Sequence, residues 1–297
     1  MGNDLFGRPG PGRQLIDAAE SALGYRLEPI CLEGCGRKVV PARQEAQLIY
    51  VPSCAYAAEL REQRYAPTAV LGHSLGSWAA AWAAGVYEFL TGLELVTHVE
   101  SLLAELVDGR GFAMGAIIGL DENTVQSEAA THPGVWVANF NSPAQFVIAG
   151  PAVGVDQVLC TATASGAKQA KRLPTSRAIH SPWMKEVAER LTDRLNRLTW
   201  RDPAVPFLSC DNGRVLRTHE EVREFFSVFL TRPVRWESSF RTLCATCSSQ
   251  FLEVGPGRLL TTLATFIDSN VIVRTASEWL DAAVETEASF FSPLRNP

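Results

Sequence analysis

Hydrophobic positions alternate between helical and extended spacing in an order that outlines a fold. Residues 11–24 set Leu15, Ala18, Ala19, Ala22 and Leu23 at helical intervals and stop at Gly24, the residue type that closes a helix most readily. Residues 43–62 predict a second helix with Ala46, Ile49, Tyr50 and Cys54 turned inward. A short apolar run, Pro67 to Leu71, predicts a strand. It meets Gly72-His73-Ser74-Leu75-Gly76 and passes into an Ala/Trp-rich segment, 77–90, that predicts a buried helix. The middle of the chain changes character. Residues 114–120 predict a strand, 122–132 a helix, 135–141 and 145–150 two strands joined at Ser142-Pro143, 154–166 a helix ending at Gly166, and 167–176 a last extended stretch. The order β-α-β-β-α-β over roughly 65 residues is the split, ferredoxin-like unit. Residues 110–176 are therefore expected to form a small domain inserted into a larger α/β domain made of 1–109 and 177–297. Beyond it the α/β pattern resumes. Helices are expected at 183–198, 219–230 and 236–247, with a strand and turn at 206–213 (PFLSCDNG). A further strand, 251–257, runs into a Gly-Pro-Gly turn with a helix behind it.

Composition narrows the function classes. With 297 residues, 46% of them hydrophobic and 20% charged, the chain is long enough for one large domain carrying an insertion and is not a disordered segment. A net charge of -5 argues against a general nucleic-acid binder. No apolar run approaches the ~18 residues of a membrane span, and the first residues lack an apolar signal core, so a cytoplasmic protein is expected. Of seven cysteines, only Cys31/Cys35 and Cys244/Cys247 lie close in sequence. A lone CxxC without a companion cluster lacks the ligand count of a zinc site, so reduced thiols and no metal are expected.

The chemistry concentrates at residues 72–76, a G-x-S-x-G sequence between a predicted strand and a predicted helix. In that context the serine sits on a strained turn with its hydroxyl at the top of the sheet, and the next N–H, that of Leu75, faces the same space as an oxyanion donor. A serine hydroxyl needs a base. Of five histidines, His73 lies inside the turn and reads as a packed neighbour, His98 and His219 fall in predicted helices, and His132 ends a helix of the small domain. His180 stands where the chain returns to the large domain, and a domain junction is where clefts form. Ser74 and His180 are the expected catalytic pair.

These residues, with GHSLGSWAAAWAAG (72–85), GAIIGLDE (115–122), ANFNSPAQFVIAG (138–150), AIHSPWM (178–184), RPVRW (232–236) and LEVGPGRLL (252–260), give a chain that resembles the family of malonyl-CoA:acyl-carrier-protein transacylases and polyketide synthase acyltransferase domains. The blocks occur in family order over nearly the whole chain. GYRLEPICLEG (24–34) and Gln47 match the earlier helical segments. The resemblance implies an α/β-hydrolase-like large domain with the ferredoxin-like insertion. It implies ping-pong acyl transfer: Ser74 takes the acyl group from a thioester, with His180 as base, and hands it to the phosphopantetheine thiol of an acyl carrier protein. It further implies a histidine oriented by a backbone carbonyl near Phe229, and a cleft lined by Gln47, His73, Val99, Asn139, Asn141 and Gln145. No tightly bound cofactor is implied. Acyl-CoA and a carrier protein are the substrates and partners, with no nucleic acid and no membrane, and a monomer is the family default. A basic surface of Lys168, Lys171, Arg172, Arg177 and Lys185 is a candidate carrier contact.

Two departures from the family pattern bear on this reading. Malonyl-type members hold the substrate carboxylate with an arginine 25 residues after the serine, and the matching residue here is Val99. A buried carboxylate without a cationic partner is costly, so a neutral or non-malonyl acyl group is expected. Arg110, in the RGFAM sequence, is a weaker substitute. The family also begins with a strand and a Gly-Gln-Gly-Ser-Gln loop that supplies a second oxyanion donor, whereas this sequence starts beyond that point. The expectation is either an earlier natural start or weakened catalysis. Alternatives are an editing acyl-thioester hydrolase on the same scaffold, a catalytically weak carrier-binding protein, and, least favoured, an ordinary esterase.

Overall fold

The computed structural model describes residues 3–34, 42–246 and 250–282. Helices α1 (Asn3–Phe6), α2 (Pro11–Leu23), α3 (Glu28–Gly34) and α4 (Ala42–Glu62) come first, followed by β1 (Val70–Leu71), α5 (Gly76–Ala83) and α6 (Phe89–Leu106). The smaller unit contains β2 (Phe112–Ile118), α7 (Glu122–Ala130), β3 (Trp136–Ser142), β4 (Gln145–Pro151), α8 (Ala152–Ala164) and β5 (Gln169–Arg172). The chain then gives α9 (Lys185–Leu195), β6 (Phe207–Leu208), β7 (Val215–Leu216), α10 (His219–Val228), α11 (Trp236–Thr246), β8 (Gln250–Glu253), α12 (Leu259–Ile267) and β9 (Ile272–Thr275). Among the described residues no helix is long and apolar enough to cross a membrane.

Local chemistry accounts for the element ends. Pro11 opens α2, where its missing N–H costs nothing, and Gly24 closes it in the left-handed region (φ 76°) with its N–H on the Glu20 carbonyl. The predicted helix at 77–90 is two segments. α5 stops at Ala83, Gly85 takes φ 82°, and α6 starts at Phe89. The run of alanines and tryptophans is apolar on both sides of that glycine, so periodicity alone hides the break. The predicted helix at 183–198 is a 3₁₀ turn, Pro182–Met184, followed by α9. β7 and β9, two and four residues long, have no counterpart among the predicted elements.

Strand order in the smaller unit is β3-β4-β2-β5, all antiparallel, which is the ferredoxin-like arrangement. One face packs on α7 and α8 around Ile117, Val125, Phe146, Ile148 and Val158. The other contributes Met114, Ala138, Val147 and Ala149 to the main core. In the larger unit β1 pairs with β6 in parallel, β6 with β7 antiparallel, and β8 with β9 in parallel. Trp78 of α5 stacks on Phe226 of α10 with ring centroids 3.8 Å apart, so the helix leaving the Ser74 turn is anchored in an aromatic core whose large rings are worth about 3–5 kcal/mol each when truncated. The two units are sewn together at the β3 edge: Phe140 N–H donates to the Val234 carbonyl and Val234 N–H to the Ala138 carbonyl, both at 2.8 Å.

Candidate active site

The turn at residues 72–76 is built as its sequence requires. Hydrogen bonds run from Gly76 N–H to the His73 carbonyl, Ser77 to Ser74 and Trp78 to Leu75. The Leu75 N–H stays outside that set. Ser74 has φ 48°, a conformation in which non-glycine residues are strained. Gly72 is obligatory: a Cβ there would lie 2.3 Å from the Ser77 Cα and N. Gly76 is different, since a Cβ on it meets nothing within 4 Å. Only the first glycine therefore serves close strand–helix approach.

His180 lies on the return segment from the smaller unit, with φ 61°. Of the three non-glycine residues with positive φ among those described, Arg64, Ser74 and His180, two form the site. The Ser74 Oγ is 2.7 Å from His180 Nε2. His180 Nδ1 faces two acceptors, the carbonyls of Phe229 at 3.1 Å and Arg232 at 3.2 Å. A nitrogen between two carbonyls must carry the proton, so Nε2 presents its lone pair and the serine O–H donates to it. His180 is 3% exposed. Burial lowers its pKa to about 4, with the Phe229 carbonyl opposing and the neighbouring His73 assisting. The ring is thus neutral and able to accept a proton at ordinary pH, while Ser74 remains partly exposed.

Two further predicted residues meet at this point. His73 Nε2 is 2.8 Å from Asn141 Oδ1, across the two units, and its ring stands edge-on to Trp236 at 5.2 Å. Burial lowers the His73 pKa and the Asn141 contact opposes that shift. Asn139 is buried on β3 beside the seam with Val234. Gln47, on α4, donates to Thr97 Oγ1 of α6 at 3.0 Å, and Val99 is buried on the same helix. The Arg232 carbonyl is a functional group that sequence reasoning passed over; its place in the RPVRW block was the available signal.

Several expected cations are elsewhere. Arg110 is exposed and paired with Glu186 at 3.1 Å. Arg177 does not belong to a basic surface: it is 6% exposed, and its guanidinium is bound by Glu100 at 2.6 Å and Asp108 at 2.8 and 3.1 Å. Arg172 is engaged by Asp156, and Lys185 lies 3.8 Å from Glu189. Cys54, Cys160 and Cys210 are free thiols, while Cys35 and Cys247 lie outside the described residues. The described acidic and histidine side chains converge once, at Asp202, His219 and Glu220 on the surface, where both His219 nitrogens face a carboxylate.

A serine with a neutral imidazole on its hydroxyl, a fixed tautomer behind it and an unspent N–H in front can carry nucleophilic acyl chemistry. Comparison with known proteins agrees. The acyl transferase domain family matches residues 38–269. The chain is 30% identical over 292 residues to the malonyl CoA-acyl carrier protein transacylase of Bacillus subtilis (strain 168), covering 96% of this chain and 92% of that protein. It is 33% identical over 249 residues to the malonyl CoA-acyl carrier protein transacylase of Escherichia coli (strain K12), with 82% and 81% covered. Among solved structures, an acyl-carrier-protein S-malonyltransferase from Burkholderia pseudomallei 1710b has a TM-score of 0.89 at 27% identity over 96% of this chain and 94% of that one. A type II polyketide synthase acyl-carrier protein in complex with its malonyl-transacylase gives a TM-score of 0.85 at 30% identity, with 93% and 91% covered. With more than half of the chain inside the family match, and the α/β-hydrolase-like fold with its ferredoxin-like insertion in common, this chain belongs to the acyl transferase domain family and is an acyltransferase.

Proposed function

We propose that the protein moves an acyl group from a thioester to the phosphopantetheine thiol of an acyl carrier protein through an acyl-Ser74 intermediate. The observation that carries this is the 2.7 Å contact between Ser74 Oγ and His180 Nε2, with Nδ1 held between two carbonyls. Ser74 Oγ bonds to the thioester carbon as its proton passes to Nε2. The carbonyl electrons move onto oxygen, where the Leu75 N–H stabilises them. Collapse expels the thiolate, which takes the proton from His180 and leaves as the free thiol. The carrier thiol then gives its proton to Nε2, attacks the acyl carbon and releases Ser74, which recovers that proton. The carrier is proposed as partner because the solved malonyl-transacylase complex joins a relative to one. Residues 1–109 with 177–297 are the proposed catalytic body and 110–176 the proposed insertion.

The acyl group is proposed to be other than malonyl, although the relatives' names specify malonyl. Val99 is buried and apolar where the resemblance implies an arginine. Arg177, the one buried arginine or lysine among the described residues, is already shared by two carboxylates, so a third carboxylate would enter against them.

Labelled acetyl-CoA and malonyl-CoA, incubated separately with the protein, are expected to give an acetyl adduct on Ser74 by mass spectrometry that holo carrier protein removes as acyl carrier. A malonyl adduct of equal yield overturns the non-malonyl reading. An adduct lost only as free acid overturns transfer in favour of hydrolysis.

A further inference from the structure

The return segment that ends at His180 has few polar ties. Its last ladder bond joins Leu173 N–H to the Met114 carbonyl. Between Leu173 and His180 the backbone's hydrogen bonds are local: Thr175 N–H to the Leu173 carbonyl, Arg177 N–H to Thr175 Oγ1, and the Ala178 carbonyl accepting from Ser181 Oγ. Among the described residues, residues 174–179 reach other elements by polar contact only through the Arg177 guanidinium. Its Nη1 binds Glu100 of α6 at 2.6 Å, and its Nε and Nη2 bind Asp108 at 2.8 and 3.1 Å. Asp108 sits where the chain leaves the larger unit, and Arg177 where it returns. One planar fork thus ties the outgoing crossing, the return crossing and α6 together, three residues before a histidine held in the left-handed region.

The geometry points to Arg177 as the positioning residue of His180, with Glu100 and Asp108 as its anchors. Arg177 touches neither Ser74 nor the imidazole, so it acts through the segment that carries the ring. Without the fork, residues 174–179 have packing alone to oppose relaxation of His180 out of its strained backbone state. The ring then drifts from Ser74, and water enters around it. The groups that face the imidazole are Ser74, His73 and the Phe229 and Arg232 carbonyls, none of them a carboxylate. Wetting is therefore the change that would move its titration.

The inference rests on the Ser74–His180 reading, and its test is independent of the acyl group. A fluorophosphonate probe reports the rate of Ser74 labelling as a function of pH in the full-length protein. Arg177→Lys keeps the charge but cannot span both carboxylates. It is expected to slow labelling roughly ten-fold and Arg177→Met on the order of 10²-fold, the range for displacement of a catalytic group by about 1 Å. In both, the acid limb is expected to rise from the low position of the buried ring toward 6.5. Asp108→Asn, at a partly exposed anchor, keeps the protein folded if the arginine variants do not fold. It is expected to slow labelling about three-fold with the same direction of limb shift. A lowered melting temperature with labelling rate and acid limb unchanged in Arg177→Lys or Asp108→Asn makes the fork purely structural and overturns the inference alone. His180→Ala labelled as fast as the parent overturns the Ser74–His180 reading, and this inference with it.

Discussion

Ser74 and His180 occupy the same unusual backbone region, and the structure holds each there by different means. Ser74 is held locally. Three turn hydrogen bonds within residues 73–78 and the steric demand at Gly72 set its φ. His180 is held remotely, by carbonyls 49 and 52 residues downstream and, three residues back, by carboxylates 77 and 69 residues upstream. A nucleophile fixed by seven consecutive residues, 72–78, can be read from a motif. A base fixed by contacts of long sequence separation cannot, and its accuracy depends on how two units are joined.

The comparison can be broken from either end. The largest effect is expected from Ser74→Ala, which should abolish acyl-enzyme formation, a loss on the order of 10⁶-fold in single-turnover rate by analogy with other serine nucleophiles. His180→Ala should cost about 10²–10⁴-fold, the usual worth of a general base, with substrate binding little changed. Gly72→Ala and Gly76→Ala separate the two glycines of the turn. The first forces a 2.3 Å clash with backbone and should unfold the turn or lower the melting temperature by many degrees, whereas the second meets open space and should be nearly silent in thermal melts. A second such melt of Gly76→Ala showing equal damage would sink the local account of Ser74.

The mildest effect is that of pH. The folded-state pKa of His180 is about 4, against an ordinary value of 6.5. At pH above 6.5 the ring is neutral in both folded and unfolded chains and contributes no pH dependence. As pH falls from 6.5 toward 4 the unfolded chain gains a proton that the folded one refuses, so stability declines through that window, by about 3 kcal/mol at most for this group. Denaturant melts at stepped pH should show the decline and a shallower one in His180→Gln. For the same reason the acid limb of acylation should lie near pH 4, well under the ordinary histidine value.

How much was legible follows from the same contrast. The Gly72–Gly76 pentapeptide and the βαββαβ order were readable because spacing or local turn chemistry encodes them, whereas Asn141 and His73 were named as cleft residues through the resemblance. The identity of His180 as partner came from its place at a junction and from resemblance. Arg177 was misread as a surface cation because sequence shows a charge but not its burial, and the acids that bury it lie in another element. The Ala/Trp run was misread as one helix because apolar residues on both sides of Gly85 leave no polar face to register the break. The Asn139–Val234 bridge had no sequence signal, since one isolated pair of residues has no period.

That bridge has a further implication. Residues 232–234 form one short shelf: its first carbonyl accepts from the imidazole, and its last residue is stitched into the edge of the neighbouring sheet. Tilting the smaller sheet therefore levers the shelf, and the shelf carries the ring. A shift at that seam is expected to reach the proton acceptor through two residues of backbone.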